Sequence, residues 1–176
     1  MSNTEFTELS AYSELNRRAV KGGAVLFGST FASRIPFSEL AEDFAKGTPG
    51  YNRSVAGLSL ANAESCLEEC VYALEPSKLF LCFGDNESAS ADEYILCYEK
   101  LLYRLRMRLP QCDIYVVSAV PEAHGYDSQL ASAAADAGCR FINTDDAAQH
   151  ESLLDRLRCL MRTRPTVSYT HLTLPT

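Results

Sequence analysis

Short apolar runs alternate along this chain with stretches of helical period, and that alternation restricts it to few architectures. Strand-like runs fall at residues 24–27, near Tyr51 and Asn52, and at 79–83, 114–120 and 140–142. Between them Leu60, Ala63, Leu67, Val71 and Leu74 recur at helical spacing, as do Tyr94, Tyr98, Leu101, Leu105 and Leu109. Leu153, Leu154, Leu157, Leu160 and Met161 form a third stripe. All three stripes read as core packing. Strands separated by helix-length segments pair in parallel, with crossover helices on the sheet faces. The expected fold is therefore α/β, a three-layer α/β/α sandwich of about five parallel strands. Local signals agree: Pro36 opens a helix, Ser90 with Glu93 forms a capping box, and Pro110 follows a long helix.

A chain of 176 residues buries roughly 70% of the surface its unfolded form exposes, so its core needs neither disulfides nor metals. We expect one domain over residues 1–167. A formal charge of −7 disfavours long contacts with phosphate backbones, and no nucleic acid partner is expected. The first residues lack the basic start and apolar core of a secretory signal, and no apolar run approaches a membrane span. No membrane association and a cytoplasmic location are the expectations. The seven cysteines are scattered without a Cys-x-x-Cys pair, and only three histidines are present. Reduced core thiols and the absence of a metal or cofactor are expected. Residues 168–176, from Ser168 to Thr176, resemble sequencing-adapter read-through and read as a non-native tail, so His171 carries no mechanistic weight.

Three turn segments follow three successive strands, and each carries groups with chemical potential. The first apolar run stops on Gly28, Ser29 and Thr30, putting two hydroxyls at the carboxyl edge of the sheet, where open α/β folds bind ligands. The second segment runs from Asn52 to Gly57; the third is Gly84-Asp85-Asn86-Glu87. Converging on one spot, the backbone N–H groups of Thr30 and Gly57 and the Asn86 amide form a donor set for a developing oxyanion. Each also has a plainer reading: Asn86 closes an Asx turn, and Gly57 permits a tight strand-to-helix turn.

In order and spacing these blocks resemble those of the SGNH (GDSL-type) hydrolase family, across about residues 23–145. In that family Gly-Asp-Ser supplies the nucleophile, a glycine after the second strand lends an N–H, and Gly-x-Asn-Asp lends an Asn amide. The resemblance places Thr30 at the nucleophile position and Ser29 at that of the aspartate. It makes Gly57 and Asn86 the oxyanion donors. Two departures stand out. Threonine is stiffer than serine at a tight elbow, and a hydroxyl nucleophile needs a base. The family's Asp-x-x-His is absent: Pro121, Ala147 and Ser168 stand three residues before His124, His150 and His171. His124, on the loop after the fourth strand with Glu122 or Asp127 near it, is the candidate stand-in base, and His150 is a second; as loop or helix-start histidines both also have a structural reading.

These observations imply a degenerate SGNH-like protein with weak or no ester hydrolysis. Two alternatives stand beside it. One is a working esterase on small acyl or carbohydrate esters using Thr30 or Ser29; the other is a flavodoxin-like binder in which Ser29, Thr30 and Ser33 cradle a phosphate or FMN. The implied partner is a small ester or carbohydrate ligand.

Overall fold

Five strands, β1 (Ala24–Gly28), β2 (Gly50–Asn52), β3 (Lys78–Cys82), β4 (Asp113–Ser118) and β5 (Arg140–Asn143), form one sheet in the order β2-β1-β3-β4-β5. Every neighbouring pair is parallel. The structure, a computed structural model, describes residues 3–42, 49–87, 90–118 and 125–143 together with Asp155 and Leu157. The helices are α1 (Asn3–Asn16), α2 (Thr30–Ser33), α3 (Phe37–Glu42), α4 (Leu67–Cys70), α5 (Ala91–Arg108) and α6 (Asp127–Asp136).

Alternation along each strand builds two cores. Val25, Phe27, Leu79, Leu81, Ile114 and Val116 join the side covered by the segment 60–74, α5 and α6, with Leu9 and Tyr12 of α1 packed against it. Leu26, Phe80, Cys82, Tyr115 and Val117 face the other side, where Ala32 of α2, Phe37 of α3 and Leu157 cover them. The expected three-layer sandwich is what forms. Phe80 anchors the second core by stacking on Tyr115, with ring centroids 4.7 Å apart; burying such a ring stabilises by about 1.5–3 kcal/mol. The capping box is present, Ser90 Oγ accepting from Glu93 N and Glu93 reaching back to Ser90 N.

Three elements differ from the sequence expectation. The stripe at 60–74 is not one α-helix but a 3-10 helix (Leu60–Cys66), the short α4, and a second 3-10 turn (Tyr72–Leu74). One cause is visible: the Glu69 carbonyl, which a continuous helix gives to residue 73, accepts from Asn16 Nδ2 at 2.6 Å. Helices α1 and α6 were not signalled, because α1 docks through polar side chains and α6 buries mostly alanines (Leu130, Ala133, Ala134). Residues 119, 120, 144–154 and 168–176 lie outside the described residues. So do His124, His150, His171 and, except for Leu157, the third helical stripe.

Gly28 earns its place by closeness rather than by turn geometry. A Cβ there meets the Cys82 carbonyl group head-on, 2.8 Å from its carbon, and lies 2.7 Å from the Ala32 Cβ. Gly28→Ala is expected to destabilise by about 3 kcal/mol, the upper range of overpacking, read as a lowered urea midpoint. Cysteines 66, 70, 82, 112 and 139 are buried, whereas Cys97 is half-exposed. Burial pushes the Cys82 and Cys112 thiols up to about 12. At pH 8 their thiolate fraction is negligible. Brief iodoacetamide treatment of the native protein should alkylate Cys97 first among the six described cysteines, as read by peptide mass spectrometry.

Candidate active site

Strand order reverses between β1 and β3, and such a switch point opens a crevice at the carboxyl ends of the strands. Both neighbouring strands run in register to their last residues, Gly28 opposite Cys82. The chain beyond β1 and that beyond β2 stay hydrogen-bonded to the neighbouring strand: Ser29 N donates to the Cys82 carbonyl at 3.2 Å, and Val55 N to the Gly28 carbonyl at 3.0 Å. Three loops therefore leave the sheet together.

Their functional groups meet at Thr30. Gly57 N donates to Thr30 Oγ1 at 2.8 Å. Asn86 Nδ2 reaches the same oxygen at 3.0 Å and Ser29 Oγ at 2.6 Å. An amide nitrogen carries two hydrogens, so Asn86 spends one on each hydroxyl. Of the two candidate nucleophiles, Ser29 is fully buried and Thr30 is half-exposed beside the exposed Gly57. Thr30 is thus open to solvent, whereas buried Ser29 accepts from the Asn86 amide and anchors its plane.

Carboxylates frame the loops. Asp85 Oδ2 accepts from Phe31 N at 2.6 Å, capping α2 from the third loop, because the N-cap Ser29 makes no side-chain cap. The other Asp85 oxygen is buried and finds no hydrogen-bond partner among the described residues. Glu87 Oε1 accepts from Leu60 N at 2.8 Å, tying the third loop to the second. Burial raises the Glu87 carboxyl above the usual range, against the opposing pull of that hydrogen bond. Gly57 has φ of +82°, a left-handed conformation that favours glycine. Neither Asp85 nor Glu87 was singled out from the sequence, although both flank Asn86 in the third block.

Further along the same edge, Asp127 accepts from Ser118 Oγ and, at 2.9 Å, from Asn143 Nδ2. Both of its oxygens are thus engaged by the ends of β4 and β5. His124, the expected stand-in base, lies outside the described residues.

No protein-family model matches the sequence, and no curated protein sequence matches it. Solved structures do. A Streptococcus pneumonia protein provisionally described as a platelet activating factor superposes with a TM-score of 0.71 at 17% identity, over 84% of this chain and 80% of its own. A GDSL-like lipase from Bacteroides thetaiotaomicron superposes with a TM-score of 0.61 at 15% identity, over 80% of this chain and 79% of its own. An acetylxylan esterase from Geobacillus stearothermophilus gives 0.57 at 12% identity, over 82% of each chain. With its five parallel strands and helices on both faces, the chain has the fold of the SGNH/GDSL hydrolases.

Proposed function

We propose that this protein is an SGNH-type acyl-ester hydrolase running on an incomplete catalytic set, with Thr30 as nucleophile and Gly57 and Asn86 as oxyanion donors. The observation that carries the reading is the meeting of the Gly57 N–H and the Asn86 amide at Thr30 Oγ1, at 2.8 and 3.0 Å. Donors fixed beside the attacking oxygen are suited to the negative charge that develops two bonds away, on the carbonyl oxygen of a bound ester.

In the proposed reaction Thr30 Oγ1 bonds to the acyl carbon and loses its proton to a base, for which His124 is the candidate. The tetrahedral intermediate collapses with cleavage of the bond to the leaving alcohol, which takes up the proton, and water then releases the acid. Turnover is slow because no aspartate stands three residues before a histidine and the threonine methyl crowds the elbow. Oxyanion donors and binding alone still give roughly a thousand- to ten-thousand-fold acceleration over water. Small acetyl esters, including acetylated carbohydrates, are the favoured substrates; the acetylxylan esterases among the solved neighbours support that choice.

The phosphate- or FMN-binding alternative is less well supported. Phe31 N, the donor a phosphate would seek at the start of α2, is taken by the Asp85 carboxylate, whose charge repels an anion.

Hydrolysis of p-nitrophenyl acetate tests the proposal. The wild type should exceed Thr30→Ala, and Asn86→Ala should cost about a hundred- to a thousand-fold where the residual rate allows it to be read. Thr30→Ser should stay slow. Wild-type turnover no faster than Thr30→Ala overturns the reaction, and Thr30→Ser reaching about 10 per second, an ordinary enzyme's rate, overturns the incomplete set.

A further inference from the structure

We propose that helix α1 is a clamp for the oxyanion arm, with Glu8 as the positioning residue that fixes the Gly57 N–H; the catalytic meaning of this clamp rests on the function proposed above. Glu8, Tyr12 and Asn16 are spaced four residues apart and so share one helix face. Each grips the loop that ends in Gly57. Ala56 N donates to Glu8 Oε2 at 3.0 Å, the Tyr12 hydroxyl donates to the Ser54 carbonyl at 2.6 Å, and Arg53 Nε donates to Asn16 Oδ1 at 3.1 Å. The Arg53 guanidinium, buried with its residue, lies 5.1 Å from the Tyr12 ring centre and 5.0 Å from that of Tyr51, so it is held between the helix and β2. The helix itself is moored to the main body by Asn16 Nδ2 on the Glu69 carbonyl.

The need for such a clamp follows from Gly57. Gly57, at positive φ with nothing within 4 Å of where a Cβ would stand, is held by the turn that Leu58 N closes on the Val55 carbonyl at 3.2 Å, and the aim of its N–H depends on how that turn is fixed. On its far side the arm is held by Leu58 N on the Val55 carbonyl and by Leu60 N on Glu87. On the near side the last pin before Gly57 is the bond from Ala56 N to Glu8. Removing that pin loosens the central peptide of the 55–58 turn, whose N–H faces Thr30, without touching the core. Oxyanion donors act only when held in place before charge develops, so looseness here costs the transition state rather than ground-state binding.

Hydrogen exchange and kinetics on Glu8→Ala, Glu8→Gln and Tyr12→Phe test the clamp on the full chain. Glu8→Ala should speed amide exchange at Ala56 and Gly57 by about tenfold or more, while the β1 and β3 amides keep wild-type protection. The kcat for p-nitrophenyl acetate should fall about tenfold with KM unchanged. Glu8→Gln, which keeps an acceptor oxygen, should restore both. Tyr12→Phe, which loses one hydroxyl, should raise exchange within residues 53–57 alone. Wild-type exchange at Ala56 and Gly57 in Glu8→Ala, or a rise spread equally over the sheet, overturns the clamp. So does a Glu8→Gln variant as impaired as Glu8→Ala. Should the wild type hydrolyse no ester, the proposed reaction falls while the exchange data still decide the clamp.

Discussion

The closeness of β1 and β3 at their carboxyl ends is the constraint on which the rest of this molecule depends. Gly28 lies against the Cys82 carbonyl so tightly that no side chain fits between them. The two strands therefore end at the same level, and the chain beyond each exits into the same crevice. Backbone hydrogen bonds from Ser29 to Cys82 and from Val55 to Gly28 extend the order of the sheet one step past its edge. Residues 29–30, 57 and 86 thus meet as a consequence of strand register, with little left to loop flexibility. This is the usual division of labour in open α/β sheets, where rigid strand ends place chemistry carried by loops.

Within that frame one side-chain amide does two jobs. Asn86 gives one N–H to buried Ser29 and one to Thr30, so the residue that presents a donor is itself oriented by its neighbour. The resemblance to Gly-Asp-Ser puts an aspartate where Ser29 stands. In this chain an aspartate occupies the third loop instead, and Asp85 reaches back to cap Phe31 N. The turn is held from two sides, by the Asn86 amide on Ser29 and by the Asp85 carboxylate on Phe31.

Much of this was legible in the residues, for identifiable reasons. Buried parallel strands are nearly continuous apolar runs, and 24–27, 79–83 and 140–142 match β1, β3 and β5 to within a residue. Gly57 and Asn86 stood out through the joint order and spacing of the three blocks, since each alone also suits a plain turn. Helix α1 was hidden because, beside Leu9 and the Tyr12 ring, it docks through polar contacts of Glu8, Tyr12 and Asn16, too few apolar positions to make a readable stripe. The segment 60–74 misled because spacings of three and four residues suit a 3-10 and an α-helix alike, and its Glu69 carbonyl is taken by a side chain 53 positions away, Asn16. Which of Ser29 and Thr30 is buried was likewise beyond the sequence: adjacent hydroxyls differ only in which way the turn points them, and the structure buries Ser29 and leaves Thr30 half-exposed.

The account rests on the contact of Thr30 Oγ1 with two donors from distant parts of the chain, and a solution spectrum can see that contact without any turnover. The most direct measurement is a proton–nitrogen correlation NMR spectrum of Thr30→Val, which keeps the branched shape and removes the oxygen, compared with the wild type. The account predicts that the Gly57 backbone amide and the Asn86 side-chain amide both shift upfield and exchange faster with solvent, 27 and 56 residues from the substitution. Shifts confined to residues adjacent to position 30, with Gly57 and Asn86 unmoved, would contradict it.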